Sequence, residues 1–482
     1  MTASPRTRWL ALYVLCLGDL MIVLDTTIVN VALPSIREDL GFSETSLAWV
    51  VNAYLLTFGG FLLLGGRLGD LFGQRRMFLI GIGLFTFASL ACGLSTTQGQ
   101  LVAARAVQGL GGALVAAVAL SLTMMLFTEP AERAKAMGIF GFVLSGGGAI
   151  GVLAGGVLTD VLDWHWIFLV NLPIGAVVFA LSLKLLPITP GIESRRIDFG
   201  GAITVTGALM LAVYAIVNGN DNGWTSAVTL GLLGAAVVLL LAFVVIERRV
   251  AEPLVPFGVF CHRNVSVANT VGTLMAAGMF AYFFFSALYM QQVLGYTPLE
   301  VGLAYLPSTV VWGASSLYSD KFVMRFGIKK PLGVGLGLMA LGLLLFARVP
   351  VDGNVFVDVI PATLAIGLGG GIAFNPLLLA AMGDVKPEES GLASGIVNTA
   401  FMMGGALGLA ILASLADFRT DSLLESGEST LSALTGGFHA AFLLGAAFVI
   451  TAITVGLALL RSTMPQHHAE PGGEPALEGA QH

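Results

Sequence analysis

The sequence predicts an all-α polytopic membrane protein, two six-helix bundles plus an extra central helix pair, fourteen transmembrane helices in all. Three observations predict it. Only 11% of the 482 residues are charged and 56% are hydrophobic, against about 25% charged in an ordinary soluble chain. The apolar runs are unbroken and close to the ~20 residues that one helical span needs. They do not alternate as barrel strands do, and only helices and closed barrels satisfy the backbone in lipid. Finally, Lys and Arg segregate between alternate connections.

The elements follow in chain order. Arg6 and Arg8 precede the first apolar run, 9–33, as in a signal peptide. That run is about 25 residues long and has no small-residue cleavage site, so it reads as an uncleaved span. Runs at 47–66, 77–95, 101–127, 136–159 and 166–186 supply spans two to six. Runs at 199–218 and 226–246 supply seven and eight, bracketed by the polar connections Pro187–Phe199 and Glu247–Arg263. Runs at 265–290, 300–318, 331–348, 355–381, 391–415 and 437–460 supply nine to fourteen. The expected organisation is an N-terminal bundle over 1–186, a linker with two extra helices over 187–263 and a C-terminal bundle over 264–461. The polar, Pro/Gly-rich tail 462–482 is expected to be disordered.

With both termini cytoplasmic, 19 of the 23 basic residues fall in inner segments. Only Arg37, Arg348 and Arg419 fall outside, and Arg105 lies within a span. That asymmetry supports the orientation and an even number of spans. The bundles also echo each other: Gly73-Gln74-Arg75-Arg76 links spans two and three, and Gly327-Ile328-Lys329-Lys330 the equivalent pair. Parallel six-span repeats are a known transporter plan.

Several classes are excluded. A net charge of −6 carries no nucleic-acid signal. Cys16, Cys92 and Cys261 are scattered and form no metal or disulfide framework. No Gly-x-x-x-x-Gly-Lys-Ser/Thr loop suggests ATP as energy source, and no HExxH or G-x-S-x-G motif suggests an enzyme. No cofactor is expected.

The stretch Val23–Pro34 (VLDTTIVNVALP) carries Asp25, with Asp19 before it in the same run. An acid at the bilayer centre costs at least ~2.5–3.5 kcal/mol, so its default reading is an ion or substrate pathway. The alternative is an interhelical hydrogen-bonding acid. Asp25 shares a face with Gly18, Ile22 and Val29, whereas Asp19, Val23, Thr26 and Asn30 lie on another face. The two acids stand ~9 Å apart along the axis. A carboxylate deprived of water can bind a proton near neutral pH, or it can face a cationic ligand. In span four, Arg105, Gln108, Gly109 and Gly112 share a face. A guanidinium at that depth needs an acceptor, and Asp25 is the expected partner. The pair can be a protonation switch or a static ion pair.

The run Gly66–Arg76 is the most specific motif. Gly66, Gly69 and Gly73 permit a tight turn and close backbone approach. Asp70 is placed to meet a helix N-terminus, braced by Arg75 and Arg76. In span five, Gly147, Gly151 and Gly155 repeat every fourth residue, with Gly148 and Gly156 beside them. Such small-residue stripes let helices pack closely, and Gly404, Gly405 and Gly408 repeat the device in span thirteen. The aromatic run of span nine, Phe280 to Tyr289, can line a flat-ligand pocket or pack and face lipid. Trp164-His165-Trp166 sits where an aromatic belt is expected.

Together these stretches resemble the fourteen-span drug:proton antiporters of the major facilitator superfamily, multidrug and antibiotic exporters. VLDTTIVNVALP resembles the family's first-span signature, Gly66–Arg76 its loop pattern, and Arg105-x-x-Gln108-Gly109 its fourth-span motif. WHWIFLVNLPIG (164–175) and YMQQVLGYTPLEVGLAYLP (289–307) resemble later segments. The resemblance implies that Asp25 is the proton-titrating acid and Arg105 its partner. It implies that the Asp70 loop docks at the start of span thirteen, near Glu388–Gly391. It implies that the glycines of span five are the exporter motif and that spans seven and eight lie outside the core. The chain departs from the pattern at Val152 (usually Pro), His165 (often Arg), Phe401-Met402 (often Arg-Gln) and Met324 (a second-half acid). Asp19 is not part of the signature.

The expected function is proton-coupled export of lipophilic or amphipathic drugs or antibiotics by alternating access, with Asp25, Asp19, Arg105, Gln108 and Asn30 as coupling or substrate residues. The expected partners are a lipophilic small molecule, protons and the bilayer, with the chain acting as a monomer in a bacterial plasma membrane. Arg outnumbering Lys 17 to 6 fits a GC-rich bacterial genome. A proton-coupled symporter of a small solute and a non-transporting sensor or scaffold are the alternatives.

Overall fold

The computed structural model describes residues 5–188, 198–250, 253–382 and 390–461. Apolar runs become helices where a cap or turn residue can close them. Ser43 caps the second helix in a reciprocal capping box with Ser46. Thr97 caps the fourth through the Gln100 amide. Thr297 and Glu300 form a second capping box, with Pro298 at the first helical position.

In chain order the long helices of the first half are α1 (Pro5–Leu40), α2 (Glu44–Phe72), α3 (Gln74–Gly93), α4 (Gln98–Leu126), α5 (Pro130–Val161) and α6 (Trp166–Leu185). Next come α7 (Phe199–Val217) and α8 (Ala227–Arg249). The second half holds α9 (Arg263–Val293), α10 (Pro298–Phe326), α11 (Lys329–Phe346), α12 (Val355–Met382), α13 (Ser390–Glu425) and α14 (Thr430–Leu459). Among the described residues, 12 helices are long and apolar enough to cross a membrane. The expected fourteen spans are therefore not all met on that criterion. Helices α5 and α10 stand where spans five and ten are expected but are not among the twelve. In α10, Ser308, Thr309, Ser315, Ser316, Ser319, Lys321 and Arg325 dilute the apolar run.

Each half repeats one packing scheme. In the first, α1 packs on α5, α4 on α2 and α3, and α6 on α1 and α3. In the second, α9 packs on α13, α12 on α10 and α11, and α14 on α9 and α11. The halves meet through α2 against α13 and α5 against α10. The pair α7–α8 was expected outside the core. Helix α8 fits that, with few buried residues, but α7 packs against both α2 and α13 and so touches both halves.

The Gly66–Arg76 loop differs from expectation. Helix α2 runs on to Phe72, and the chain breaks only at Gly73, whose φ of 93° suits glycine. Gly327, with φ 73°, makes the same break between α10 and α11. A Cβ on Gly66 would meet nothing within 4 Å, so Gly66 serves no close approach. Gly69 does: a Cβ there would collide with Val118 of α4 and the side chain of Gln74. The end of the molecule bearing Gly73 is called here the Gly73 face, and the opposite end, bearing Trp164, the Trp164 face. The tail 462–482 lies outside the described residues.

Candidate functional site

Five helices of the first half converge on one buried polar cluster. Asp25 on α1 and Arg105 on α4 are fully buried, at 0% and 1% exposure. The Arg105 Nη1 donates to Asp25 Oδ2 at 2.5 Å and to Gln108 Oε1 at 2.7 Å. The Gln108 Nε2 donates to Asp25 Oδ1 at 2.6 Å and to Ser89 Oγ on α3 at 2.7 Å. Asn171, in the first turns of α6, donates to Asp25 Oδ1 at 3.3 Å and Ser89 Oγ at 3.4 Å. From α2 come the Val50 carbonyl, which accepts from Arg105 Nε at 2.9 Å, and the Tyr54 ring, 4.4 Å from the guanidinium carbon.

Small residues allow this convergence. A Cβ on Gly109 would strike Thr57 and the Tyr54 carbonyl, and one on Gly111 would strike the Phe85 backbone. Helix α4 therefore lies close enough to α2 and α3 for a short Asp on α1 to reach its Arg. The spacing Arg105, Gln108, Gly109, Gly112 puts the polar pair and the glycines that meet α2 on one stripe, and Gly111 lies on a separate face against α3. A buried ion pair is tolerated when its remaining lone pairs are satisfied, and both Asp25 oxygens accept hydrogen bonds here.

The other expected coupling residues are not in this cluster. Asn30 turns back on its own helix, donating to the Thr26 carbonyl at 3.0 Å and the Thr27 carbonyl at 3.4 Å. Asp19 is buried on α1, and its Oδ2 has no hydrogen-bond partner. Ser89 and Asn171 were not foreseen. Asn171 carries a usable signal, an amide inside the apolar run IFLVNLPIG, whereas a lone Ser in a helix carries none. Tyr54 contributes its ring face, and its buried hydroxyl is unpartnered.

On the Gly73 face, Asp70 Oδ1 accepts from Gln74 Nε2 at 2.9 Å, Gln74 being the first residue of α3. Arg75 donates to the Leu183 carbonyl of α6 at 2.5 Å. Arg76 is exposed. The docking expected near Glu388–Gly391 falls at residues whose side chains lie outside those described.

Three glycines of the α5 stripe lie against α1. Cβ atoms on Gly147, Gly151 and Gly155 would collide with α1 at Leu20, at Leu24 and Thr27, and at Ile28 respectively. Gly156 faces the second half instead, 2.7 Å from its Cβ position to the Pro298 carbonyl. Gly404 and Gly408 of α13 meet Thr273 and Ala277 of α9 in the same way. On the Trp164 face, Gln291 of α9 donates to the Val31 carbonyl of α1 at 2.8 Å, so the halves touch there. The aromatics of α9 are mainly buried packing. Tyr282 bonds Ser308, and Ser286 bonds Tyr305, within the second half.

This architecture matches known proteins. Residues 15–409 match the Major Facilitator Superfamily. The chain is 40% identical over 466 residues to the puromycin resistance protein pur8 of Streptomyces alboniger, covering 96% of this chain and 91% of that one. It is 36% identical over 475 residues to the cephamycin export protein CmcT of Amycolatopsis lactamdurans, covering 96% of each. The crystal structure of the POT family transporter PepTSo superposes with a TM-score of 0.68 at 14% identity, over 94% of this chain and 99% of that one. That level of identity speaks to the fold alone. The chain belongs to the Major Facilitator Superfamily, whose members are transporters and not enzymes.

Proposed function

We propose that this protein expels lipophilic or amphipathic antibiotics from a bacterial cell in exchange for protons, by alternating access. Small-molecule transport follows from the family, and the names of its relatives speak of antibiotic export and resistance. The observation that carries proton coupling is the buried Asp25–Arg105 pair. An acid in a dry interior, held by one guanidinium and two amides, has two stable arrangements. Ionised, it binds Arg105. Protonated, it loses the ion pair and frees the guanidinium to seek the Gln108, Val50 and Tyr54 partners it already touches. Such a two-state element can bias the packing of α1 against α4 and α6. Each charge moved across 100 mV supplies ~2.3 kcal/mol.

In this reading α5 and α10 cross the membrane with the other twelve helices. The bundles are 1–186 and 264–461, joined by 187–263. The chain works as a monomer with both termini and the Gly73 face in the cytoplasm. Asp25, Arg105 and Gln108 carry proton coupling, joined by Asn171. Asp19 stands as a separate buried acid that can meet a cationic substrate or a proton. Asp70 and the Gly73 turn serve gating, and the α5 glycines let α1 and α5 move as a unit.

The test is drug uptake into inside-out proteoliposomes driven by an imposed pH gradient, using a panel of lipophilic cations and neutral antibiotics. Wild type should accumulate drug only with the gradient, and Asp25→Asn should abolish the gradient-driven component. Full activity in Asp25→Asn with loss in Asp19→Asn would move the coupling role to Asp19. Drug movement in the direction of the proton would support a symporter instead.

A further inference from the structure

A second pair of buried acids lies far along the chain from Asp25, at the Gly73-face ends of α7 and α8. Asp198 caps α7 and is 4% exposed, its Oδ1 accepting from the Gly201 amide at 2.7 Å. Glu247, near the end of α8, is also 4% exposed. Its Oε2 accepts from the Val255 amide at 3.2 Å, which ties the connection after α8 back onto the helix. The other oxygens, Asp198 Oδ2 and Glu247 Oε1, are buried and receive no hydrogen bond from any donor among the described residues. Both lie 2.7 Å from the point where a Cβ on Gly201 would stand. The two free oxygens are therefore turned toward one small space, which only a glycine leaves open.

Among the described residues, no cation hydrogen-bonds to either free oxygen. Arg248 and Arg249 follow Glu247 on α8 but are exposed. Helix α7 contributes no other charge. On α2, Leu64 packs against Ala202 of α7, and Arg67 and Asp70 follow it on that helix, but neither free oxygen receives a hydrogen bond from Arg67. The segment 253–261 brings Cys261 alone, followed by His262 and Arg263 at the start of α9, and the start of α13 brings no charge. Arg195, Arg196, Glu252 and, before α13, Asp384, Lys386, Glu388 and Glu389 lie outside the described residues. Two adjacent carboxylates cannot both stay ionised and unpaired in a dry site.

We propose that Asp198 and Glu247 share one proton, and that this is a protonation site distinct from the Asp25 cluster. One carboxyl keeps its O–H and donates it to the other carboxylate. On deprotonation the proton passes to water, leaving two facing carboxylates that repel. No other bond forms or breaks. The consequence is mechanical. Leu254 packs with Leu64 and Ala202, and Val255 bridges to Val259, Val265 and Ile396. The shared proton thus holds the 253–256 segment against the ends of α2, α7 and α13, where the two halves meet. Loss of the proton loosens that strap. The inference does not depend on the transport reading.

The test is hydrogen exchange of the full chain in nanodiscs across a pH series, corrected for the intrinsic rate. In wild type, exchange at Gly201 and Val255 should rise by about tenfold or more above the intrinsic trend as pH rises, the loss of hydrogen bonds to charged groups. Glu247→Gln, which supplies a permanent donor, should remove that excess, and Asp198→Asn should do so independently. Asp25→Asn should leave it intact. A wild type with no excess, or an excess unchanged in both amide variants, would overturn the proposal. An excess that follows sodium at fixed pH would replace the proton with a bound cation, and its loss in Asp25→Asn would overturn the claim of a separate site.

Discussion

Asp25 shows what one side chain in oil demands of its neighbours. Its two oxygens accept from Arg105, Gln108 and Asn171, and removing a donor leaves a charge that water cannot reach. Arg105→Ala should therefore cost ~3–5 kcal/mol, the usual result of breaking a buried pair on one side. The double variant Arg105→Ala/Asp25→Asn should recover much of that, because no lone charge remains. Thermal unfolding in nanodiscs checks both. Asn171→Ala should cost less, about 0.5–1.5 kcal/mol, since Gln108 still serves the same oxygen. If Asn171→Ala proves as damaging as Arg105→Ala, the amide rather than the guanidinium anchors the acid. The sequence made Asp25, Arg105 and Gln108 legible because ionisable groups are rare in spans and helical spacing puts Gln108 beside Arg105. Asn30 misled, because an Asn on a helix can bond its own preceding carbonyls, and spacing cannot tell that from a bond across helices. Ser89 stayed invisible, since a serine inside an apolar helix bonds its own backbone just as readily.

At the level of helices, glycine count mattered less than glycine position. Five glycines of α5 look alike in sequence, yet a Cβ on Gly148 meets nothing within 4 Å, while one on Gly151 comes 3.0 Å from the Leu24 carbonyl and closer to Thr27. Gly151→Val should thus overpack the α1–α5 contact by ~1–3 kcal/mol and depress transport, with Gly148→Ala unchanged as its control. The Gly73 turn makes a parallel case. Gly73→Ala forces a side chain to φ 93°, at a cost of ~1–3 kcal/mol. Gly66→Ala falls in open helix and should be neutral or stabilising by up to ~1 kcal/mol. Unfolding midpoints of the two variants, measured side by side, decide this. The motif pattern treats Gly66 and Gly73 as equals, because it records spacing and not dihedral angle. Helix positions themselves were legible, since apolar length fixes them. The ends were less so: α2 runs six residues past Gly66 because Leu68, Leu71 and Phe72 continue its apolar face.

For the molecule as a whole, the two halves repeat one packing scheme and touch each other along α2–α13 and α5–α10. The contact on the Trp164 face is built from backbone: Gly156 meets the Pro298 carbonyl, and Gly302 meets the Val152 carbonyl with its Cβ position 3.5 Å from Gly156 Cα. The Gln291 bond to Val31 lies on the same face. Glycine on both sides gives close approach with little interlocking, a surface that can part without pulling side chains from pockets. The proposed rocking of the halves requires that parting. The double variant Gly156→Cys/Gly302→Cys should therefore form a disulfide, because the backbones lie within the ~4.4–6.8 Å that a bridge spans. Native thiols do not compete, since Cys16 and Cys92 are buried and Cys261 lies at the other face. Oxidised, the variant should bind drug but move none. Reduced, it should recover most of the reduced single variants' rate. Gradient-driven uptake in proteoliposomes before and after reduction reads this directly. Unimpaired uptake by the bridged protein would mean that the Trp164 face never opens between these helices, and the route for substrate would have to be sought elsewhere in the fold.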